Sequence, residues 1–412
     1  METLSRTGEW PTKRWDEALQ EWAKEPEQSW SRISTVLNDA PDDILGELAH
    51  SLGRWLQAIA ESLKGEVNPV FFNLIGRVLR VEQDKAEQKD DDTDKTERDH
   101  VLRAINHPVG IVTKAALLWW YQQSLEDGQG LPTKIRSLFT NLCDRQIIRF
   151  RHGRVVLAEA LVTLFRVDRD WTEQHLLPLF HWRQADAEPR AVWQGCLYSL
   201  QPFWPLLEAI KQPFLSAAEH YTELGKARER YAALLTFTAL ADNTPFSYRE
   251  LATAMRSLPQ QGLRSAAQAL VSAIDGSGTQ RKEYWQNRVL PYLRSVWPKS
   301  KDKVDSSTSE QFARLCVAAG EAFPEAFDYL KPWLQPIKHP DNIVHLLHQA
   351  EHPANYPDAA LGFLNTVIDD HRQWPPGDLK KCLQEIETAR PAIKKDQKFR
   401  RLEDYLREHR SR

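Results

Sequence analysis

Apolar residues recur every three to four positions along most of this chain. Leu45, Leu48, Leu52, Trp55, Leu56, Ile59 and Leu63 form one such stripe, opened by Pro41-Asp42-Asp43 and closed near Gly65. That period predicts a helix with a single buried face. A comparable pattern follows Pro69 through Phe72, Ile75 and Leu79. Others run over residues 111–122, 133–143 and 155–165. Trp171 to Leu200 reads as a helix pair. Leu176, Leu177, Leu179, Phe180 and Trp182 line the first member, Val192, Trp193, Cys196, Leu197 and Leu200 the second. Ser247-Tyr-Arg-Glu250 is a capping-box pattern ahead of Leu251, Met255 and Leu258. Further helices are predicted near 309–319, 324–334, 341–350, 357–370, 377–389 and 396–409. Alternating strand patterns are not found.

Helices this numerous, joined by short polar turns, predict an all-α fold. A pair that cannot cover its own apolar face must stack on neighbours. The expected architecture is a HEAT-like α-solenoid of antiparallel helix pairs. Pro178, Pro291 and Pro332 sit in related apolar settings, and the last two are 332 − 291 = 41 residues apart, close to the roughly 40–47-residue HEAT period. Residues 82–99 hold nine acids, four bases and one alanine as the sole apolar side chain. This composition predicts a flexible acidic loop or linker. The expected division is an N-terminal helical segment 1–81, the linker 82–99, a helical array 100–300 and a C-terminal array 301–412.

Composition narrows the classes. Lys plus Arg number 54 and Asp plus Glu 57, a net charge of −3, so no global field draws the chain to nucleic acid. Seventeen glycines are few for a phosphate-loop protein, and the 15 tryptophans suit bulky packing between helices better than a base-stacking platform. The four widely spaced cysteines read as buried free thiols in a reducing compartment. The first residues lack the apolar core of a signal peptide. No apolar run is long enough for a bilayer span. The chain is therefore expected in the cytoplasm, without membrane contact.

The search for chemistry returns little. Phosphate-loop, dinucleotide, nucleophile-elbow and zinc-protease patterns are missing from the sequence. Asp341, His345, His348 and His352 fall at spacings that share one helical face and have the donor types of a zinc site; Pro353 directly after His352 argues for a helix end there, a solvated polar face is the preferred reading, and no metal or other cofactor is expected. The basic cluster Arg145, Arg149, Arg151, Arg154, with His152 among them, is the candidate partner-binding site. Guanidinium groups this dense suit phosphates or an acidic protein surface. The competing reading pairs them with nearby acids such as Asp144, Glu159, Asp168 and Asp170. The segment 394–412, with eight Lys or Arg against four acids, reads as a solvated helix end.

Several segments resemble a known group: DDILGELAHSLGRWLQAIA (42–60), the stretch from INHPVGIVTKAALLWWY to RQIIRFRHGRVVLA (105–158), LFRVDRDWTEQHLLPLFHW (164–182), YWQNRVLPYLRSVWPKS (284–300) and FARLCVAAGEAFPEA (312–326). They are similar to the helical C-terminal region of large bacterial sirtuin-like proteins of anti-phage defence loci. The resemblance implies helical repeats that sense or assemble beside an NAD-consuming domain, whose catalytic pattern this sequence does not show. The expectation is a non-enzymatic scaffold or recognition arm with a protein partner, either a sirtuin-like effector or a phage component. The alternative is a nucleic-acid-associated repeat protein using the cluster at 145–154. Oligomeric state is left open.

Overall fold

The computed structural model describes residues 10–63, 68–85, 99–182, 187–199, 201–300, 304–369 and 374–408. Among them every regular element is helical, and helices pack in pairs. The chain divides into two compact units, Met1–Arg228 and Glu229–Arg412. That division falls at neither of the boundaries read from composition. The helices 69–84 and 100–106, which flank the acidic stretch, lie in the same unit.

In the first unit one row of helices stacks in chain order. It runs through α1 (Thr12–Trp22), α2 (Ala49–Ala60), α5 (Pro108–Tyr121), α6 (Arg151–Glu159) and α7 (Ala187–Ser199). Between α2 and α5 the chain forms α3 (Pro69–Asp84) and α4 (His100–Asn106), which pack against α5 and against α5 and α6 respectively. In the second unit α8 (Gln260–Gly276), α9 (Ser306–Ala318), α10 (Asp341–Gln349) and α12 (Leu379–Ala389) repeat the arrangement, with the short α11 (His352–Asn355) between the last two. The middle of the first row is held by helices that are buried on more than one side. In α5, ten of 14 residues are buried, Val109 to Val112 and Trp119-Trp120 among them. A helix so covered needs neighbours on both flanks.

The stripes read from sequence account for this core. Leu45, Leu48, Leu52, Trp55, Leu56 and Ile59 are buried. The helix they predicted is broken between Glu47 and Ala49, with Leu48 capping both pieces. Six tryptophans (55, 119, 120, 171, 193 and 285) are among the largest fully buried side chains, which favours the packing reading. Three find indole acceptors: Trp55 donates to Ser29 Oγ at 2.8 Å, Trp171 to Thr140 Oγ1 at 2.8 Å, and Trp193 to the Phe180 carbonyl at 3.1 Å. All four cysteines are buried free thiols. Burial pushes Cys143 and Cys382 up to about 12 and the other two upward as well, which makes them inert at neutral pH.

Close backbone approach fixes two glycines. A Cβ on Gly195 of α7 would lie 2.3 Å from the Val155 carbonyl oxygen of α6. A Cβ on Gly110 would lie 1.9 Å from the Ala104 oxygen of α4. Asn106-His-Pro-Val-Gly110 brings a proline and a glycine together, a pattern that on sequence alone reads as a turn. Instead α5 starts at Pro108, where a missing N–H costs nothing, and His107 caps it by accepting the Val109 N–H on Nδ1 at 3.2 Å.

The prolines echo one another differently from the sequence spacing. Pro178 follows a π-helical turn over Thr172–Leu176, and Pro291 follows one over Trp285–Val289. Proline removes an N–H and crowds the carbonyl four residues back. Widening the preceding turn relieves that crowding and keeps the chain helical. Pro332 lies instead in a 3₁₀ turn, Lys331–Trp333, after an ordinary helix. The structural kinship is between Pro178 and Pro291, one in each unit, and not across the 41-residue interval.

Candidate functional site

The four arginines of the cluster do not share one surface. The chain between Cys143 and Arg151 makes a short 3₁₀ turn, Ile148–Phe150, before α6. This turn throws Arg149 to one side and leaves Arg151 and Arg154 on the helix. Arg154 is wholly buried. Its Nε and Nη2 donate to the two oxygens of Glu188 at 2.6 and 3.0 Å. Its Nη1 donates to the carbonyls of Leu142, Asp144 and Ile147. Arg151 Nε donates to the same Glu188 at 3.1 Å. Arg149 Nη2 lies 2.5 Å from Glu82 Oε2 in α3. Arg145 is exposed and has interactions of its own.

The partners differ from those read in sequence. Asp144 serves Arg154 through its backbone carbonyl. Asp168 pins a loop, accepting from Leu131 N–H and Arg136 on Oδ2 and from Trp171 N–H on Oδ1. Glu159 pairs with Lys114. Glu82 had been assigned to the acidic linker, yet α3 continues through Asp84 and buries that carboxylate. The remainder of the linker, 86–98, lies outside the described residues. The signal was present: Phe71, Ile75, Val78, Leu79 and Glu82 keep one helical face. Glu188 likewise occupies the first turn of α7, where the helix dipole favours an acid.

Two histidines complete the cluster. The rings of His107 and His152 stack with centroids 4.0 Å apart and planes 17° from parallel. His107 Nε2 is 3.6 Å from Glu82 Oε2 and 3.2 Å from Arg149 Nη2. Burial depresses His107 to about 4; Arg149, Lys85 and Arg103 add to the effect, and only Glu82 opposes it. Burial, then His107 and the arginines 103, 151 and 149, depress His152 to about 3. Both rings are neutral at pH 7 and poorly basic, the opposite of a general base poised near neutrality. For both buried acids, burial alone would raise the pKa. Lys85 and Arg149 outweigh it at Glu82, and Arg154 and Arg151 at Glu188, so both titrate below the usual range. The arrangement is a closed network joining α3, α5, α6 and α7.

The histidine face also separates. His345 Nδ1 lies 2.7 Å from Asp378 Oδ2, and His348 Nδ1 lies 2.9 Å from Glu385 Oε1. His352 opens α11, is buried, and meets the Val317 carbonyl through Nε2 at 2.9 Å. Asp341 faces the Gly377 N–H at 3.4 Å. Among the described residues no group of three or more His, Cys, Asp or Glu side chains is placed to hold a metal ion. No described helix is long and apolar enough to cross a membrane.

Comparison with known proteins adds one similarity. The chain is 24% identical over 125 residues to the uncharacterized protein y4cA of Sinorhizobium fredii (strain NBRC 101917 / NGR234), across 30% of this chain and 10% of that protein. The match thus spans about a tenth of the length of that relative. No family model and no solved structure matches.

Proposed function

We propose that this chain is a non-enzymatic helical-repeat scaffold, a recognition arm that binds a protein partner in a bacterial anti-phage defence system. The observation that carries the non-enzymatic part is the fate of the basic cluster. Its most perturbed ionisable groups are spent on one another, with every oxygen of Glu82 and Glu188 facing an arginine or lysine of the same network. Stacked helix rows with HEAT-like pairing expose long, stiff faces suited to extended partners. The similarity to a short part of a much larger protein fits a helical module that works beside other domains. The defence assignment rests on the sequence resemblance to sirtuin-like proteins, and the partner is accordingly a sirtuin-like effector or a phage component acting in the cytoplasm.

The nucleic-acid reading is weaker, because Arg149, Arg151 and Arg154 are turned toward carboxylates and not outward. The test is affinity purification of the tagged chain from bacteria before and during phage infection. The proposal expects a stoichiometric protein partner that survives nuclease treatment. Recovery of nucleic acid alone, or of the bare chain under both conditions, would overturn it.

A further inference from the structure

In the second unit the end of the helix Leu290–Ser295 meets the helix Phe323–Leu330 at Tyr329. Past the first helix the chain brings Lys299 back over it. Lys299 Nζ donates to the Leu293 carbonyl at 2.6 Å and to the Tyr329 hydroxyl oxygen at 3.4 Å. The Arg294 guanidinium carbon lies 5.9 Å from the centre of the same Tyr329 ring. Trp333 braces that ring from the following 3₁₀ turn, with centroids 5.8 Å apart. Tyr329 and Trp333 are half-buried, whereas Arg294 and Lys299 are exposed. Two cations and a phenol thus share one accessible corner.

Their charges are not balanced locally. Elsewhere in this unit arginines face acids, as Arg288 faces Asp242 and Arg314 faces Glu310. Among the described residues neither Arg294 nor Lys299 has a carboxylate within ion-pair distance. Burial, and then the Arg294 charge, lower the Lys299 pKa from its ordinary value, and no acid opposes them. Capping the Leu293 carbonyl accounts for Lys299 at a helix C-terminus. It does not account for a second cation set against it. All three groups keep donors in hand. A guanidinium over an aromatic face retains its N–H edge for an oxyanion. The Lys299 ammonium has one more donor than its two acceptors use. The Tyr329 oxygen accepts from Lys299, which leaves the phenol hydrogen to donate.

We propose that Arg294, Lys299 and Tyr329 bind a phosphate monoester carried by a serine, threonine or tyrosine side chain of the protein partner. This rests on the recognition-arm reading and names the partner's chemistry. Such a group carries about −1.5 to −2 charges at pH 7 and three acceptor oxygens, a match for two cations and three donor groups. A carboxylate supplies a single charge and two oxygens. A nucleic-acid phosphate also supplies a single charge, and holding a strand takes a run of such contacts. The arginine edge suits two phosphate oxygens at once.

The test titrates the full chain with a blocked alanine-phosphoserine-alanine tripeptide at low ionic strength, where exposed charges are least screened. Phosphorus NMR line width reports occupancy. Displacement is measured with the glutamate tripeptide, inorganic phosphate and a short single-stranded DNA. Saturable broadening that weakens about tenfold in Arg294→Gln, with the thermal midpoint unchanged, would support the site. Lys299→Met should weaken it similarly, and Arg294→Gln decides alone if losing the Leu293 cap unfolds that variant. Lys282→Gln removes an exposed lysine of the same unit that pairs with Glu321, and it should leave binding as it was. Unchanged affinity in Arg294→Gln, or an equal loss in Lys282→Gln, would overturn the proposal. So would displacement by the glutamate peptide at equal concentration, or by the DNA at a lower one. Inorganic phosphate displacing the peptide at equal concentration would assign the corner to a free anion and overturn the partner's part in it. The two readings fail differently. If the partner is captured equally by wild type and Arg294→Gln, this site is wrong and the scaffold stands. If the phosphopeptide binds as expected but no partner is captured, the recognition-arm reading is what fails.

Discussion

Glu188 is the residue on which the first unit's ionic network turns. It is 3% exposed and receives three N–H groups from two arginines. Removing one member of a buried pair leaves the other charge unmet, at about 3–5 kcal/mol. Glu188→Ala should therefore cost stability of that order in chemical unfolding, and a loss below about 1 kcal/mol would mean that Arg154 finds other acceptors. Acidification should act on the same network. His107 and His152 bind protons near 4 and 3 in the fold, against about 6.5 when unfolded. Between those values the unfolded chain holds more protons, so stability rises with pH there. It should be level above pH 7 and fall from about pH 6.5 toward 4, by at most about 1.4 kcal/mol per pH unit for each ring. Glu82 and Glu188, with lowered pKa values, add loss in the same direction below about pH 4.5. Urea midpoints at pH 7.5, 6, 5 and 4 check this. His107→Asn, which keeps a capping side chain, should flatten the slope, and a midpoint unchanged from pH 7 to 5 would contradict the assignment. The arginines are legible in the sequence but their partners are not, because Glu82 lies 67 residues and Glu188 34 residues away from the side chains they meet. Composition assigns an acid to a loop; only the helical period, extended one turn, places Glu82 inside.

At the scale of elements, periodicity located the helices well and their breaks poorly. The capping box at Ser247 formed as read, with the Glu250 N–H donating to Ser247 Oγ at 3.3 Å and Glu250 Oε2 accepting the Ser247 N–H at 2.8 Å. The interruption at Leu48 was hidden because the apolar stripe continues across it. A stripe records which side is buried, whereas a break depends on backbone contacts from distant helices. Gly195 is such a contact. Gly195→Ala would press a methyl into the Val155 carbonyl and should cost about 1–3 kcal/mol. Gly276, at the end of α8, meets nothing within 4 Å of an added Cβ, so Gly276→Ala should be neutral or stabilise by about 0.4–1 kcal/mol. Thermal midpoints of the two variants provide the contrast. Equal shifts would remove the claim that α6 and α7 touch through their backbones.

For the molecule as a whole, the all-α class was legible because helix periodicity runs through nearly every described segment and few glycines interrupt it. The functional site was less legible. Dense arginines have the same sequence signature whether they face a partner or a buried carboxylate, and here the fold turns three of the four toward carboxylates. What is left for function, on this account, is the surface of the stacked helices. The central claim is that the chain recognises and does not catalyse. Its most direct test is NAD turnover by the purified chain, followed with and without phage lysate over hours. The account predicts no consumption of NAD by the chain alone under either condition. Sustained turnover by the isolated chain, abolished by a single substitution within it that leaves the thermal midpoint unchanged, would contradict the account.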